Sequence, residues 1–214
     1  MRIGRVEPQQ APPLRALLDV LNVSLFGIQS PHLHARLVDD AVRGRIDGRV
    51  ASDGSELLGL VLAAPAWYWW WLPLRDWRIA LDIVHVRLLR RSAAQAHPEE
   101  TGSVPPNVSP DVPITDRTAP YDWRRPGRAW RIIFVGTSPA ARGRGVAAAL
   151  YRQIMAERSL VARIALDNTA SLRLHASTGW TLHRDEGVVL AVHEHTHPVS
   201  DAPAPAAGRR EAGR

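Results

Sequence analysis

The sequence predicts an α/β fold in which short β-strands and amphipathic helices alternate along one domain. The chain has 214 residues, of which 45% are hydrophobic, and this is enough for a sizeable core. Apolar residues recur at helical spacing in some segments and form short branched runs in others. Proline and glycine separate these segments. The alternation favours helices packed on a sheet.

The N-terminal half is predicted to contain a strand, two helices and a β-hairpin. Four leucines share one face of the first helix: Leu14, Leu17, Leu18 and Leu21. Ser30 can cap the second helix, and Pro31 suits its first turn. The expected elements are a strand at 2–8, helices at 12–27 and 30–44, and hairpin strands at 48–52 and 56–64.

The second half is predicted to begin with a helix over residues 74–91, followed by a long loop at 92–120 that is rich in Pro, Ser and Thr. The arginines at the end of this helix suit a C-terminus. The remaining elements are expected to be strands at 129–135 and 161–167, helices at 145–158 and 169–178, and one or two strands within 180–195. Residues 199–214 are predicted to be a disordered tail.

Composition excludes several classes of site. The absence of cysteine rules out disulfides, Cys–zinc sites and a cysteine nucleophile. Lysine is also absent, so all 27 cationic side chains are arginine, and a Walker-A loop or Schiff-base chemistry is excluded. The net charge of +6 favours anionic ligands such as a polyphosphate cofactor or nucleic acid.

Residues 57–74 contain no charged side chain, so a membrane-spanning helix has to be considered for this segment. Pro65 and Pro73 interrupt the run, so a buried strand that stops at Pro65 is the better interpretation. Five adjacent aromatic residues follow, Trp67, Tyr68, Trp69, Trp70 and Trp71. Because acceptor pockets are largely apolar, we expect this cluster to serve an acceptor and not a bilayer.

One short segment carries the strongest functional signal. After the predicted strand at 129–135, Arg142, Gly143, Arg144 and Gly145 come directly before a helix-forming stretch. A helix N-terminus leaves N–H groups unpaired and carries partial positive charge. Glycine lets a phosphate approach those groups closely, and arginine adds charge. The segment therefore predicts a diphosphate site.

A dinucleotide fingerprint is the rival interpretation. Gly143, Gly145 and Ala148 fit G-x-G-x-x-A, and Asp167 ends the next strand, where a ribose-binding acid would lie. However, seven residues separate Val135 from Gly143, whereas the fingerprint glycine normally follows its strand directly. Too little chain follows Asp167 for a doubly wound sheet. This reading also leaves residues 166–180 without a role.

Two signatures resemble the GNAT superfamily of N-acetyltransferases. Arg142, Gly145 and Ala147 match its R-x-x-G-x-A pyrophosphate signature. Downstream, residues 168–180 resemble its second signature, N-x-x-A-x-x-L-Y-x-x-x-G-F. In this second stretch Asn168, Leu174 and Gly179 match, whereas Ser171, His175 and Trp180 replace Ala, Tyr and Phe.

The resemblance implies a mixed, mostly antiparallel central sheet with splayed middle strands and helices on both faces. It also implies a single domain over residues 1–198, with an inserted helix and Pro-rich loop at about 66–128. Acetyl-CoA would be the co-substrate, with its pantetheine arm paired to exposed backbone like an added strand. The implied coenzyme contacts are Val135, Gly136, Thr137, Arg142, Gly143, Arg144, Gly145, Val146, Ala147, Asn168 and Ser171.

The implied reaction is direct acetyl transfer to a primary amine of unknown identity. The family places a tyrosine hydroxyl near the coenzyme sulfur, and His175 holds that position here, so we predict His175 as the acid for the leaving thiolate. Packing is the alternative role for this histidine. The family often has a glutamate on the strand before the phosphate loop, but this strand has no carboxylate. Asp122 and His85 are the nearest candidate bases, and water or backbone is the other source.

A second function stays open: a non-catalytic domain that binds acyl-CoA or a partner. The missing tyrosine and the missing strand carboxylate make it plausible. His193, His195 and His197 alternate as metal ligands would on one strand face, but a polar outer face explains them, and we expect no metal. We expect a cytoplasmic protein with a small-molecule or peptide amine acceptor and no nucleic-acid or membrane partner. A homodimer is left open.

Overall fold

A seven-stranded mixed sheet with helices on both faces forms the molecule. The computed structural model describes residues 1–21, 23, 30–85, 112–115, 129–185 and 187–195. The strands are β1 (Arg2–Arg5), β2 (Asp47–Asp53), β3 (Glu56–Pro65), β4 (Trp130–Thr137), β5 (Leu160–Ala165), β6 (Thr181–Asp185) and β7 (Val188–His193). Their order in the sheet is β1-β2-β3-β4-β5-β7-β6. All neighbours are antiparallel except β4 and β5.

The helices pack on the two faces of this sheet. They are α1 (Ala11–Val20), α2 (Pro31–Val42), α3 (Tyr68–Arg75), α4 (residues 77–85), α5 (Val146–Met155) and α6 (Thr169–Ser177). One core cluster contains the apolar sides of α1, α2 and α3, and the other contains those of α5 and α6. The predicted fold class is confirmed, including the sheet that is mostly antiparallel.

The predicted helix over residues 74–91 differs from the observed structure. The aromatic run is itself helical and forms α3, which contains Pro73. Asp76 then adopts an extended conformation, with φ −131° and ψ 98°, and its backbone ends α3. Its carboxylate oxygen accepts a hydrogen bond from the N–H of Arg78 at 3.2 Å, so Asp76 also caps α4. Sequence periodicity across this capping residue merged two helices into one.

The long segment between α4 and β4 touches the far edge of the sheet. Val112 is buried, and Thr115 forms a bridge to His183 of β6. The rest of the predicted loop at 92–120 and the predicted tail at 199–214 lie outside the described residues. The single domain over residues 1–198 stays a prediction.

Candidate functional site

A cleft opens between the two central strands. Within the described strands, β4 pairs with β5 only at Trp130 and Arg131. Beyond that point the strands separate, and all eight residues of β4 are partly exposed although the strand is central. The register with β3 also shifts between Leu62 and Ala63, and such irregularities bend a strand. The backbone edge of β4 is therefore open to an extended ligand.

The predicted residues Val135, Gly136 and Thr137 lie at the open end of this cleft. A Cβ on Gly136 would collide with the Phe134 ring and lie 3.0 Å from Cδ1 of Leu21. Glycine therefore lets the α1 side of the sheet pack closely at this point.

The Arg-Gly loop, residues 142–145, lies at the same end of the cleft. Gly143 and Gly145 both have φ +74°, which L side chains rarely adopt, and no atom lies within 4 Å of a Cβ built at either position. Gly145 is the N-cap of α5, and its carbonyl accepts the N–H of Ala149 at 3.0 Å. The N–H groups of the first turn have no partner within the helix, and Arg142 and Arg144 are exposed beside them.

A buried hydroxyl lies next to the Arg-Gly loop. Ser138 directly follows β4, and its N–H donates to the carbonyl of Leu58 at 2.9 Å. Its Oγ is buried and has no hydrogen-bond partner among the described residues. Free N–H groups, two exposed guanidinium groups, an unused hydroxyl and open space are the features that an anion such as a diphosphate requires, and the predicted diphosphate contacts stay a prediction.

Gly59 of β3 positions this loop, and no sequence pattern predicted that role. A Cβ at Gly59 would lie 2.8 Å from the carbonyl oxygen of Gly136 and 3.0 Å from Cγ1 of Val146. The first residue of α5 therefore packs directly on the backbone of β3. The helix N-terminus is held at the open end of the cleft by this close approach.

The other predicted coenzyme contacts, Asn168 and Ser171, begin α6. Asn168 caps the helix, and its Oδ1 accepts the N–H of Ser171 at 3.0 Å. This local role accounts for the asparagine without a ligand. Both residues follow the C-terminal end of β5, across the cleft from the Arg-Gly loop. Their contact with coenzyme stays a prediction.

His175 lies in a buried cluster of rings. Its side chain is 1% exposed, and its ring centroid lies 4.9 Å from those of Tyr151 and Trp180. The Tyr151 hydroxyl donates to Nε2 at 3.0 Å. Since the Ser171 carbonyl can only accept, Nδ1–H donates to it at 2.7 Å. Both ring nitrogens therefore have partners.

The two polar groups of this cluster are neutral at physiological pH. Burial lowers the pKa of His175 to about 4, although its hydrogen bond to the Ser171 carbonyl opposes the shift. Burial raises the pKa of the Tyr151 hydroxyl. The imidazolium form is consequently scarce near pH 7. The predicted acid role of His175 stays untested, and this geometry favours the packing alternative.

Neither candidate base is placed in the cleft. Asp122 lies outside the described residues. His85 is exposed on α4, which follows the closed end of the sheet, where Pro65 pairs with Trp130. The described β4 has no carboxylate. Neither His85 nor a carboxylate of the described β4 therefore supplies a base in the cleft.

The aromatic cluster is not part of the cleft. It begins after Pro65, at the end of β3 opposite Gly59 and the Arg-Gly loop. Tyr68 is buried against α2, whereas Trp67 and Trp70 are 49% and 81% exposed. The expected role in the acceptor pocket therefore finds no support in this placement. None of the described helices is long and apolar enough to cross a bilayer.

An ion-pair network holds the other end of α5, and sequence patterns did not reveal it. Arg49 of β2 donates to Asp47 at 2.8 Å and to Glu157 at 2.6 Å. Arg158 donates to Asp47 at 2.7 Å, and its guanidinium lies 3.8 Å from the centre of the Trp130 ring. Burial alone would raise the pKa of Asp47, but its hydrogen bonds and charge interactions with Arg49 and Arg158 outweigh burial and lower that pKa.

The alternating histidines do not form a metal cluster in the described residues. His193 ends β7, and its Nε2 lies 3.2 Å from the carbonyl oxygen of Met155. His195 is described beyond the strand, whereas His197 lies outside the described residues.

Comparison with known proteins identifies the fold. The chain resembles yncA from Salmonella typhimurium, solved with its cofactor acetyl-CoA, at a TM-score of 0.52 and 13% identity over 94% of this chain and 98% of that one. It also resembles the structure of histone acetyltransferase HPA2 and related acetyltransferase from Corynebacterium glutamicum. The TM-score is 0.52 and the identity 14%, over 92% of this chain and 97% of that one. A third similar structure is the ribosomal-protein-alanine N-acetyltransferase from Brucella melitensis. Its TM-score is 0.50 and its identity 14%, over 90% of this chain and 97% of that one.

A sequence comparison with curated proteins found no match. Residues 115–180 match the model of the acetyltransferase (GNAT) family. This match spans the open strand β4, the Arg-Gly loop, α5 and α6. The resemblance predicted from two signatures is thereby confirmed over residues 115–180, and the solved structures share the fold of this chain.

Proposed function

We propose that this protein is an acetyltransferase that moves the acetyl group of acetyl-CoA to a primary amine. The observation that carries the proposal is the open edge of β4 ending at the Arg-Gly loop. The diphosphate would bind the N–H groups at the start of α5, with Arg142 and Arg144 beside it. The pantetheine arm would pair with Val135, Gly136 and Thr137 as an added strand.

The proposed chemistry is one direct displacement. The neutral amine nitrogen attacks the acetyl carbonyl carbon, the C–S bond breaks, and the amine loses one proton while the CoA thiolate gains one. A free alkylamine has a pKa near ~10, so water or another base must take that proton. The leaving thiol has a pKa near ~8.5, so a side-chain acid helps but is not essential. The packed, neutral His175 agrees with departure of the thiolate without such an acid.

The acceptor class is an open part of the proposal. Small-molecule amines, peptide N-termini, protein lysines and aminoacyl-tRNA are the four classes to compare. Release of the CoA thiol reports turnover, and the protein contributes no thiol of its own because it has no cysteine. We expect thiol release that depends on one class of amine.

Coenzyme binding can be tested at one glycine. We expect Gly145→Glu to abolish CoA binding in calorimetry, because a carboxylate would occupy the open space where the diphosphate is proposed to bind. Gly54→Glu is the matched control: Gly54 also has positive φ and no atom within 4 Å of a built Cβ, but it lies in the β2–β3 turn. Equal CoA affinity in the Gly145 variant and its control would refute the site.

The runner-up function is a non-catalytic domain that binds acyl-CoA. It is favoured by the described β4, which carries no carboxylate, and by a histidine with both nitrogens engaged at the family's tyrosine position. Tight CoA binding without thiol release over all four classes of amine would support this alternative. Loss of both binding and turnover in Gly145→Glu, with normal turnover in Gly54→Glu, supports the enzyme.

A further inference from the structure

Six large apolar side chains point to solvent along α3 and α4. Their exposed fractions are 49% for Trp67, 81% for Trp70, 86% for Leu74, 67% for Trp77, 56% for Leu81 and 53% for Val84. We call these six residues the outer apolar stripe. Among the described residues only Met1 and Val20 are other large hydrophobic side chains with such exposure. A group of exposed large apolar side chains on consecutive helices is typical of an interaction site.

The stripe is not the core-facing side of these helices. Tyr68, Leu72 and Ile79 form that side and are completely buried. The exposed residues follow helical spacing on the opposite side, at 67, 70 and 74 on α3 and at 77, 81 and 84 on α4. A surface helix normally presents polar residues there. Packing of this domain therefore does not explain the stripe.

The stripe is held in place by α2. The Tyr68 hydroxyl donates to Asp40 at 2.9 Å, and Asp40 also accepts from Arg36 at 3.0 Å and Arg45 at 2.8 Å. The guanidinium groups of Arg36, Arg45 and Arg75 lie 4.9–5.5 Å from the centre of the Trp71 ring. The α3 part of the stripe is thus a preformed surface.

Outside the described residues, large apolar side chains concentrate in 24–29 (Leu25, Phe26, Ile28) and 86–91 (Val86, Leu88, Leu89), and the longer segments offer little to cover this surface. Residues 92–111 contain only two large apolar side chains, Val104 and Val108, and residues 196–214 contain one, Val199. Residues 116–128 add Tyr121 and Trp123. A second copy docked by two-fold symmetry would bring Arg75 and Arg78 of both copies to one interface, and that costs like-charge repulsion.

The composition of the stripe fits a lipid surface. Tryptophan favours the boundary between headgroups and acyl chains, and three of the six residues are tryptophan. Arg75 and Arg78 are exposed beside them and are more accessible than the two carboxylates, Asp76, which caps α4, and Asp82, both of which are partly buried. Exposed arginines next to an apolar stripe attract anionic headgroups.

We propose that α3 and α4 dock the protein onto the surface of an anionic lipid bilayer, with the outer apolar stripe in the headgroup region. Docking there leaves the open end of the cleft free, because the stripe begins at the closed end beside Pro65 and Trp130. This reverses the expectation from the sequence that the aromatic cluster avoids a bilayer. It does not depend on the proposed acetyl transfer.

Vesicle flotation of the full chain tests the proposal. We expect binding to equimolar phosphatidylglycerol and phosphatidylcholine, weaker binding to phosphatidylcholine alone, and release at high salt, which shortens the range of charge attraction. Trp70→Ser combined with Trp77→Ser should weaken binding about tenfold or more. Arg78→Gln should weaken it about fivefold, and Arg2→Gln, which removes the same charge from β1, should not.

A valine pair gives the matched control for the apolar contribution. Val84 and Val20 are 53% and 62% exposed, and only Val84 belongs to the stripe. Val84→Ser should weaken vesicle binding and Val20→Ser should not, with both variants folded by circular dichroism. Absence of binding to anionic vesicles overturns the proposal. Equal loss of vesicle binding in both valine variants also overturns it. A third contrary outcome is a dimer in sedimentation that Val84→Ser dissociates, together with no vesicle binding by either the parent or this variant.

Discussion

At the scale of single residues, glycine positions decide how closely the sheet is approached at the cleft. Gly136 opens the side that faces α1, and Gly59, paired with Thr137, opens the side that faces α5. Neither position has positive φ, so the need for glycine comes from space and not from backbone conformation. The start of α5 can lie against β3 only because Gly59 has no side chain.

Gly59→Val should displace α5 and the Arg-Gly loop together. The added side chain would press on the Gly136 carbonyl and on Val146, so we expect stability to fall by about 1–3 kcal/mol and CoA affinity to fall with it. Gly4→Val is the control, since Gly4 lies on edge strand β1 with no atom within 4 Å of a built Cβ. Urea unfolding and calorimetry measure the two effects. If Gly59→Val is destabilised but binds CoA with unchanged affinity, then the contact at Gly59 does not position the Arg-Gly loop for binding.

The role of His175 can be separated into chemistry and packing. His175→Phe removes the acceptor of the buried Tyr151 hydroxyl, so we expect a stability loss of about 1–3 kcal/mol. We expect kcat to change less than about threefold, because the neutral ring already uses its only proton on the Ser171 carbonyl. Steady-state kinetics at a temperature where both proteins are folded decide the matter. A fall in kcat of about 10- to 1,000-fold with unchanged CoA affinity would restore the acid role.

At the scale of elements, close packing fixes one end of α5 and ion pairs fix the other. Its N-terminus packs on Gly59, whereas Glu157 and Arg158, just beyond its C-terminus, join Asp47 and Arg49 of β2. Asp47 and Arg49 are almost completely buried, so removal of either would take a charge-assisted hydrogen bond from the other and leave it with one partner, Arg158 or Glu157. The N–H groups of the proposed anion site are therefore carried by a helix that is anchored at both ends.

The sequence predicted the strands and helices around the cleft because their periodicity and capping residues are local. Ser30 accepts the N–H of Leu33 at 3.2 Å as expected for its cap, and the hairpin of β2 and β3 forms where predicted. The break at Asp76 was missed because apolar spacing continues through it on both sides. Gly59, Asp47 and Arg49 were missed because their partners are distant in sequence, and spacing within one segment carries no information on such contacts.

For the molecule as a whole, two buried groups, His175 and Asp47, contribute to the pH dependence of the free energy of unfolding. His175 has a pKa of about 4 in the fold, against 6.5 for an unperturbed histidine, because burial disfavours its charged form. Between these values the unfolded chain binds more protons than the folded one, so stability falls as pH decreases from 6.5 to about 4. Asp47 has a pKa below the ordinary aspartate value of 3.8, because its hydrogen bonds and charge interactions with Arg49 and Arg158 outweigh burial, so its contribution is present above pH 3.8 and is lost only below it.

Acid unfolding should therefore proceed in two pH windows that two substitutions can separate. In urea titrations between pH 6.5 and 4, the parent protein should lose stability with a contribution from His175 of up to ~1.4 kcal/mol per pH unit, and His175→Phe should lack that contribution. The exposed His32, changed to Phe, is the control that should keep the parent slope. Asp47→Asn should lower stability at neutral pH and flatten part of the remaining decline below 3.8, because the buried carboxylate that accepts from both Arg49 and Arg158 is gone. If His175→Phe and the parent have the same slope from pH 6.5 to 4, then the histidine is hydrated in solution and the buried cluster with Tyr151 and Trp180 does not hold it neutral.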